Sequence, residues 1–202
     1  MYIAYRQDPG LQAGPGRLTS LPVTFTFPAM STGGVAADTG LLLIRVVSGL
    51  TMAAHGYQKF FSGGRIAGTG RWFDSLGMRP GRVHALAAAS TEIGAGVLLA
   101  VGFLTSLAGA AFVALMVVAG YAVHRANGFF SVNSGWEYNL ILAVIGAGVG
   151  TAGAGRFSVD HLIGAGGVFS GISGAVIAIA GGLVAGIGQL AVFYRPPEPE
   201  SA

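Results

Sequence analysis

The stretch that decides the fold is Val168–Tyr194, VFSGISGAVIAIAGGLVAGIGQLAVFY, in which Gln189 is the only strongly polar side chain. A transmembrane helix needs about 20 mostly apolar residues, so this run is long enough to cross a bilayer. It stops at Arg195-Pro196-Pro197, where proline cannot continue a helix and arginine favours the membrane surface. The stretch therefore predicts a membrane-spanning helix.

Four earlier segments have the same apolar character, although the last of them is short and rich in glycine. They cover about Leu41–Gln58, Val83–Leu104, Ser106–His124 and Glu137–Gly153. Only 9% of the 202 residues are charged and 52% are hydrophobic, whereas an average soluble domain carries about 25% charged residues. We therefore predict an all-α membrane protein, with a four-helix transmembrane bundle in residues 40–163 and an additional C-terminal transmembrane helix in residues 168–194.

The two ends of the sequence differ in composition from these helices. Residues 1–39 contain no apolar run long enough to span a bilayer, and we interpret them as a flexible N-terminal tail. Met30 is an alternative start of the protein. Residues 195–202 are predicted to form a polar tail.

The loop after the first helix contains aromatic residues next to charged ones. Within residues 66–77, Trp72 and Phe73 lie between Arg71 and Asp74, which is typical of a short helix in the lipid headgroup region. An ordinary hydrophilic loop is the alternative. Trp136, just before the fourth span, is also assigned to the membrane interface, because tryptophan is enriched there.

Basic residues concentrate at one end of the predicted spans. That end holds Lys59, Arg65, Arg71, Arg79, Arg82, Arg125 and Arg195. At the other end only Arg156 lies close to a span. Because cytoplasmic loops carry the excess of Lys and Arg, five spans would place the N-terminus outside and the C-terminus in the cytoplasm.

Several classes of function are disfavoured by composition. The chain has no cysteine, which excludes disulfides, iron–sulfur clusters and Cys-ligated metals within it. The net charge of +3 is small and its basic residues lie between apolar spans, so we expect the lipid bilayer and not nucleic acid as partner. No catalytic triad, phosphate loop or metal signature is present, and we predict neither catalytic residues nor a metal site.

Ionisable side chains nevertheless occur within the predicted spans, where each costs roughly 2.5–3.5 kcal/mol at the helix centre. Successive helices alternate in direction, so we expect the side chains near their basic ends to converge in one polar cluster. Its predicted members are Arg45, His55, Lys59, Glu92, His124 and Glu137. We also predict an ion pair between Arg45 and Glu92, the alternative being that each side chain reaches an interface separately.

Three roles are open for His55 and His124. They could be structural, hydrogen-bonded to a carbonyl group or to Glu137. They could contact a quinone or relay protons, since histidine titrates near neutral pH. They could also ligate haem or a metal.

Glycine pairs at G-x-x-x-G spacing allow helix backbones to approach closely in lipid. Three such pairs are predicted to mediate helix packing: Gly146/Gly150, Gly167/Gly171 and Gly182/Gly186. We expect the C-terminal helix to pack through a glycine face, either inside the protomer or against a partner protein.

A series of motifs resembles the DoxX family. The string Leu42–Lys59, LLIRVVSGLTMAAHGYQK, is similar to the family's first helix, whose usual form is R-x-x-x-G…H-G-x-x-K. Further similar segments follow in the same order over residues 40–163: Trp72-Phe73…Leu76-Gly77, Glu92–Gly96, His124–Phe130, Gly135–Tyr138 and Gly155–Asp160.

The resemblance implies a four-helix core in the bacterial inner membrane and an association with redox or oxidative-stress functions. Some relatives are subunits of a thiosulfate:quinone oxidoreductase, and others are associated with soluble superoxide-detoxifying and sulfur-transfer partners. Its family residues would be Arg45, His55, Gly56, Lys59, Glu92, Gly94, His124, Asn127, Gly128, Phe129 and Glu137. The apolar segment after residue 167 and the long N-terminal tail depart from the family pattern.

Two functions are therefore kept open. The first is a membrane subunit of a redox assembly, not catalytic alone, that contacts quinone or relays protons while a partner protein holds the electron-carrying cofactor. The second is a non-enzymatic scaffold or accessory subunit that anchors partner proteins to a larger respiratory complex. A small-solute transporter is disfavoured, because no internal repeat or pair of broken helices is visible.

Overall fold

The structure is a computed structural model, and it describes residues 34–196. Most of the tail predicted for residues 1–39, the alternative start at Met30 and the polar tail beyond Pro196 lie outside these residues. In chain order the helices are α1 (Val35–Phe61), α2 (Arg65–Ser75), α3 (Gly81–Val101), α4 (Thr105–Ala119), α5 (Glu137–Ala152), α6 (Val159–Leu162), α7 (Gly171–Ala175) and α8 (Gly182–Phe193).

Two of the long helices contain π-helical segments. Helix α4 continues through a π turn, Gly120–His124, into a 3₁₀ turn, Arg125–Asn127. Helices α7 and α8 are joined by the π segment Val176–Gly181, and together they form one C-terminal helix, Gly171–Phe193. Such π segments widen a helix locally and occur frequently at functional sites.

Within residues 34–196, four helices are long and apolar enough to cross a membrane: Val35–Phe61, Gly81–Val101, Thr105–Asn127 and Gly171–Phe193. Helix α5 is apolar but has 16 residues, which gives it a length of about 24 Å against a hydrocarbon core of about 30 Å. The predicted all-α membrane fold is confirmed, and the protein is a multi-pass membrane protein.

Helices α1 and α3 pack through glycine. A side chain on Gly49 would overlap the carbonyl oxygen of Gly96, and a side chain on Gly96 would meet the backbone of α1 at Gly49 and Ala53. At one end of the same contact, Gly56 packs against Ala89 and against the Cβ atom of Glu92. Close backbone contact of this kind is how small residues hold helices together in lipid.

Helix α5 and the C-terminal helix pack against α4 in a similar way. Gly146 lies against Phe112 of α4, and Gly150 lies against Ala178 of the C-terminal helix. The Ser106 hydroxyl donates to the Gly150 carbonyl oxygen at 2.9 Å. Gly182 and Gly186 face Val113 and Val117 respectively, so these two glycines of the C-terminal helix pack inside the protomer.

The Gly167/Gly171 pair differs from its prediction. Gly167 lies in the turn before the C-terminal helix, and Gly171, with φ of +62°, begins that helix. No described atom would contact a side chain at either glycine. The spacing therefore does not form a helix-packing motif here, because a turn and a helix start do not present one continuous face.

The end of the C-terminal helix is attached to the loop between α2 and α3. Arg195 N donates to the Gly77 carbonyl oxygen at 2.8 Å, next to a bridge between Met78 and Tyr194. Gly77 has φ of +88°, a conformation that favours glycine, and a side chain there would overlap the Arg195 backbone. This attachment places the C-terminal helix beside the basic ends of α3 and α4.

Candidate functional site

A cavity of about 470 Å³ lies among α1, α2, α3, α4, α5 and the C-terminal helix. Most of its wall is apolar, formed by alanine, leucine, valine, methionine and phenylalanine side chains. Its polar residues are His55, Lys59, Thr91, Glu92, His124, Tyr138, Asn139 and Gln189, and Trp72 completes the wall from α2. An apolar cavity of this size with a few polar groups is typical of a small-molecule site.

The cavity contains an ion pair between α1 and α3. The Lys59 ammonium group lies 2.7 Å from Glu92 Oε1 and 2.6 Å from Oε2. The Glu92 side chain is 10% exposed and that of Lys59 is 22% exposed. Because the ammonium group has three N–H donors, one remains for a further acceptor after both carboxylate oxygens are bound.

The predicted ion pair between Arg45 and Glu92 is wrong. Glu92 pairs with Lys59, while Arg45 lies towards the opposite end of α1, completely buried. Its Nη2 atom donates to the Phe157 carbonyl oxygen at 2.6 Å. The offset of 14 positions from Arg45 to Lys59 corresponds to about 21 Å of helix, farther than an arginine side chain can reach.

A second cluster of polar residues lies at the end of the bundle where Arg45 lies. Asp160 accepts hydrogen bonds from Leu104 N at 2.8 Å, from Thr105 N at 2.9 Å and from Thr105 Oγ1 at 2.6 Å. These contacts cap the N-terminus of α4, as acidic side chains commonly do. Asp38 and Arg156 form a separate ion pair at 2.6 Å.

His124 reaches the cavity from the π turn that extends α4. Its Nδ1 atom lies 2.7 Å from the Ser134 carbonyl oxygen. A carbonyl oxygen can only accept, so Nδ1 carries the proton and Nε2 of the neutral ring is an acceptor. His124 would therefore donate through Nε2 only after it has taken up a second proton.

His55 and Glu137, two further members of the predicted cluster, are placed differently. The His55 ring lines the cavity, with its centroid 6.1 Å from that of Tyr138. Glu137 does not line the cavity; its carboxylate accepts from Ser131 N at 2.9 Å. Glu137 begins α5 shortly after the 3₁₀ turn Ser131–Asn133, so its carboxylate reaches the backbone N–H at the start of that turn.

The three residues assigned to the membrane interface lie in two different parts of the structure. Trp72 is 45% exposed and Phe73 is 9% exposed, and both line the cavity from α2. Helix α2 occupies the segment where an interfacial helix was predicted. Trp136 lines a different depression, between α4 and α5.

Sequence reasoning missed several polar residues of the cavity wall. Gln189 was noted only as the exception in an apolar run, yet it lines the cavity, and its Nε2 atom lies 3.2 Å from His84 Nδ1. His84 does not itself line the cavity; it is 4% exposed, and its ring stacks edge-on against Phe193. A lone amide in a 27-residue apolar stretch was the available signal, since such a group needs a partner in lipid.

The fold and this cavity define a class: a multi-pass helical membrane protein with a charged pair inside an apolar cavity. Comparison with known proteins narrows this class. The family model described as DoxX matches residues 40–125. The chain is also 31% identical over 108 residues to the protein named "Putative oxidoreductase CatD" of Bacillus subtilis (strain 168), covering 54% of this chain and 76% of that protein. The chain belongs to the DoxX family. No solved structure gave a significant match.

Proposed function

We propose that this protein is the membrane subunit of a redox assembly and that its cavity binds the ring of a lipid-soluble quinone. The observation that carries the proposal is the Lys59–Glu92 ion pair in the wall of an otherwise apolar cavity. A quinone ring is flat, apolar on its faces and polar only at its carbonyl oxygens. Such a ligand suits a cavity that offers apolar walls and a few hydrogen-bonding groups.

Lys59 and His124 are the proposed contacts to the quinone oxygens. The remaining N–H of Lys59 would donate to one carbonyl oxygen, and Glu92 would hold the ammonium group in place. His124, whose Nδ1–H donates to the Ser134 carbonyl, would in its imidazolium form also donate its Nε2–H to the other oxygen. Tyr138 and Gln189 are further polar groups available at the same wall.

The proposed reaction is the reduction of the quinone to a quinol. Two electrons come from a partner protein with an electron-carrying cofactor, and two protons come from the aqueous side at the basic end. Each carbonyl oxygen gains one hydrogen, one delivered through Lys59 and one through the His124 imidazolium. The Glu92 carboxylate stabilises the protonated form of Lys59, so the amine takes up a new proton from water after each turnover.

The proposed location is the bacterial inner membrane, with the basic end of the bundle in the cytoplasm. The positive-inside rule supports this orientation, because that end of the bundle holds Lys59 and six arginines. The soluble partner would then dock on the cytoplasmic side, where α2 and the α4–α5 loop border the cavity. The name of the Bacillus relative, an oxidoreductase, agrees with a redox role.

Quinone titration of purified protein in lipid nanodiscs tests the proposal. Tryptophan fluorescence should fall on titration with a short-tailed 1,4-benzoquinone, because Trp72 lines the cavity. Lys59→Met should weaken binding about tenfold, the loss expected for one charge-assisted hydrogen bond. Gln58→Met is the matched control, since Gln58 is the exposed neighbour and does not line the cavity. Equal affinities for the two variants would refute the proposed contact.

A scaffold role remains the alternative hypothesis, and it predicts a different result. The glycine face of the C-terminal helix is used inside the protomer, where Gly182 and Gly186 face α4. A scaffold would therefore have to recruit partners through the outward face, which carries Ile172, Val176 and Val184. Loss of a co-purifying protein on substitution of these residues, without any quinone binding, would favour the scaffold.

A further inference from the structure

A groove of about 350 Å³ lies on the outer side of the contact between α4 and α5. Val117, Gly120 and Tyr121 form one wall, and Trp136, Leu140 and Ala143 form the other. Nearly all of this surface is apolar. Arg125, whose guanidinium group stacks 3.9 Å from the centroid of the Tyr121 ring, lies beside it.

Two residues belong both to this groove and to the cavity. Met116 and Asn139 line each of them, so these side chains form the partition between the two spaces. Both are buried, with exposures of 9% and 7%. The groove therefore lies beside the cavity, on its outer side, and one layer of side chains separates the two.

The partition consists of a flexible side chain with a weak contact. Asn139 Nδ2 lies 3.6 Å from Met116 Sδ, and a thioether sulfur is a weak hydrogen-bond acceptor. Methionine is unbranched and has three rotatable side-chain bonds, so it changes shape at small cost. The Met116 side chain can therefore change its rotamer at the partition while its helix stays in place.

We infer that the groove between α4 and α5 holds the hydrocarbon tail of the molecule whose ring occupies the cavity. This inference rests on the proposed function, and it assigns the ligand to the class of amphiphilic quinones with a long isoprenoid tail. The ring lies among the polar groups around Lys59 and Glu92, and the tail passes Met116 and Asn139 into the groove.

Gly120 offers a way to block the groove from a position that does not line the cavity. It lines the groove only, it has helical backbone angles, and a Cβ atom there would meet the Asn139 Cβ at an ordinary distance of 3.7 Å. Gly120→Leu should therefore fill the groove, and Ala143→Leu is a second blocking variant from the opposite wall. Gly148→Leu is the matched control, because a side chain at Gly148 meets open space and lines neither site.

The two tryptophans of the chain report on the two spaces separately. Trp72 lines the cavity and Trp136 lines the groove. Trp72→Phe leaves only the groove reporter, and Trp136→Phe leaves only the cavity reporter. The experiment uses the full-length protein in nanodiscs and three probes with the same benzoquinone ring: one short-tailed, one long-tailed, and one long-tailed with bromine atoms on the tail, which quench a tryptophan on contact.

Bromination should increase quenching of Trp136 but not of Trp72. Gly120→Leu should abolish this extra quenching and weaken binding of the long-tailed quinone about fivefold, because the tail loses its contacts with the groove walls. The affinity for the short-tailed quinone should stay unchanged, and Gly148→Leu should behave as the unsubstituted protein does.

Three results would overturn the inference, and they separate it from the proposed function. Bromine-dependent quenching that is equal at both tryptophans, or that survives Gly120→Leu and Ala143→Leu, would exclude a tail in the groove. Quenching of Trp136 by brominated phospholipid that long-tailed quinone does not displace would mean that ordinary lipid fills the groove. If the short-tailed quinone does not bind at all, the proposed function is refuted, and the proposed tail site is refuted together with it.

Discussion

The ion pair between Lys59 and Glu92 predicts an unequal cost for losing either partner. Both carboxylate oxygens contact the ammonium group, at 2.7 and 2.6 Å, in a cavity whose other walls are mostly apolar. In Lys59→Met the Glu92 carboxylate loses its cation, and its short side chain cannot reach the membrane surface. In Glu92→Gln the Lys59 side chain keeps a hydrogen-bonding partner, and its long stem allows it to reach the basic end.

The size of this difference follows from the cost of an unpaired charge in lipid. Breaking a buried pair costs about 3–5 kcal/mol, and insertion scales give roughly 2.5–3.5 kcal/mol for a lone charge. Lys59→Met should therefore destabilise the protein by about 3 kcal/mol. Glu92→Gln should cost about 1 kcal/mol, because the lysine can be solvated elsewhere. The double variant should also cost about 1 kcal/mol, since it leaves no charge unpaired.

Equilibrium unfolding in mixed micelles, with increasing fractions of a denaturing detergent, measures these free energies. The four proteins of the double-mutant cycle should give a coupling energy of about 3 kcal/mol. Gln58→Met controls for the introduction of methionine at the same depth of α1. A double variant whose cost equals the sum of the two single costs would refute the coupling. A Glu92→Gln variant less stable than Lys59→Met would refute the argument from side-chain length.

Two further predictions concern packing and capping. Gly49→Ala should destabilise the protein by about 1–3 kcal/mol, because its Cβ atom would overlap the Gly96 carbonyl oxygen. Gly94→Ala should be neutral or stabilising, because a Cβ atom there meets open space. The same unfolding assay compares the two variants, and equal effects would contradict the packing argument. Asp160→Ala should lower the free energy of unfolding by about 2 kcal/mol, because α4 loses its N-terminal cap. Hydrogen exchange at the Thr105 amide, measured by mass spectrometry, should become faster. Unchanged exchange would show that the cap contributes little.

The helices could be predicted from the sequence because each one is a long apolar run in a chain with few charges. What such runs do not encode is the register between neighbouring helices. The contact of α1 with α3 is set by Gly49 and Gly96, and by Gly56 against the Cβ atom of Glu92. Gly49 and Gly56 lie two helical turns apart on α1, a spacing that marks one face but does not name the partner.

The same register explains why the ion pair was assigned to the wrong cation. Once Gly56 packs beside Glu92, the residue one turn farther along α1 is Lys59, and this brings the ammonium group to the carboxylate. Arg45 and Lys59 lie about 21 Å apart along α1, so the depth at which α3 packs beside α1 decides which of the two cations meets Glu92. The convergence of His55, Lys59, Glu92 and His124 needed only the alternating direction of the helices, and these four residues all line the cavity.

The family match covers only part of the residues that line the cavity. The matched residues 40–125 include the ion pair and His124. The facing wall, with Tyr138, Asn139 and Gln189, comes from α5 and the C-terminal helix, which lie beyond that match. The ion pair would therefore supply the charge chemistry, while the facing wall would set which ring and which tail fit. On this view the C-terminal helix is a part of the binding site, and its removal should abolish ligand binding even where the remaining helices stay folded.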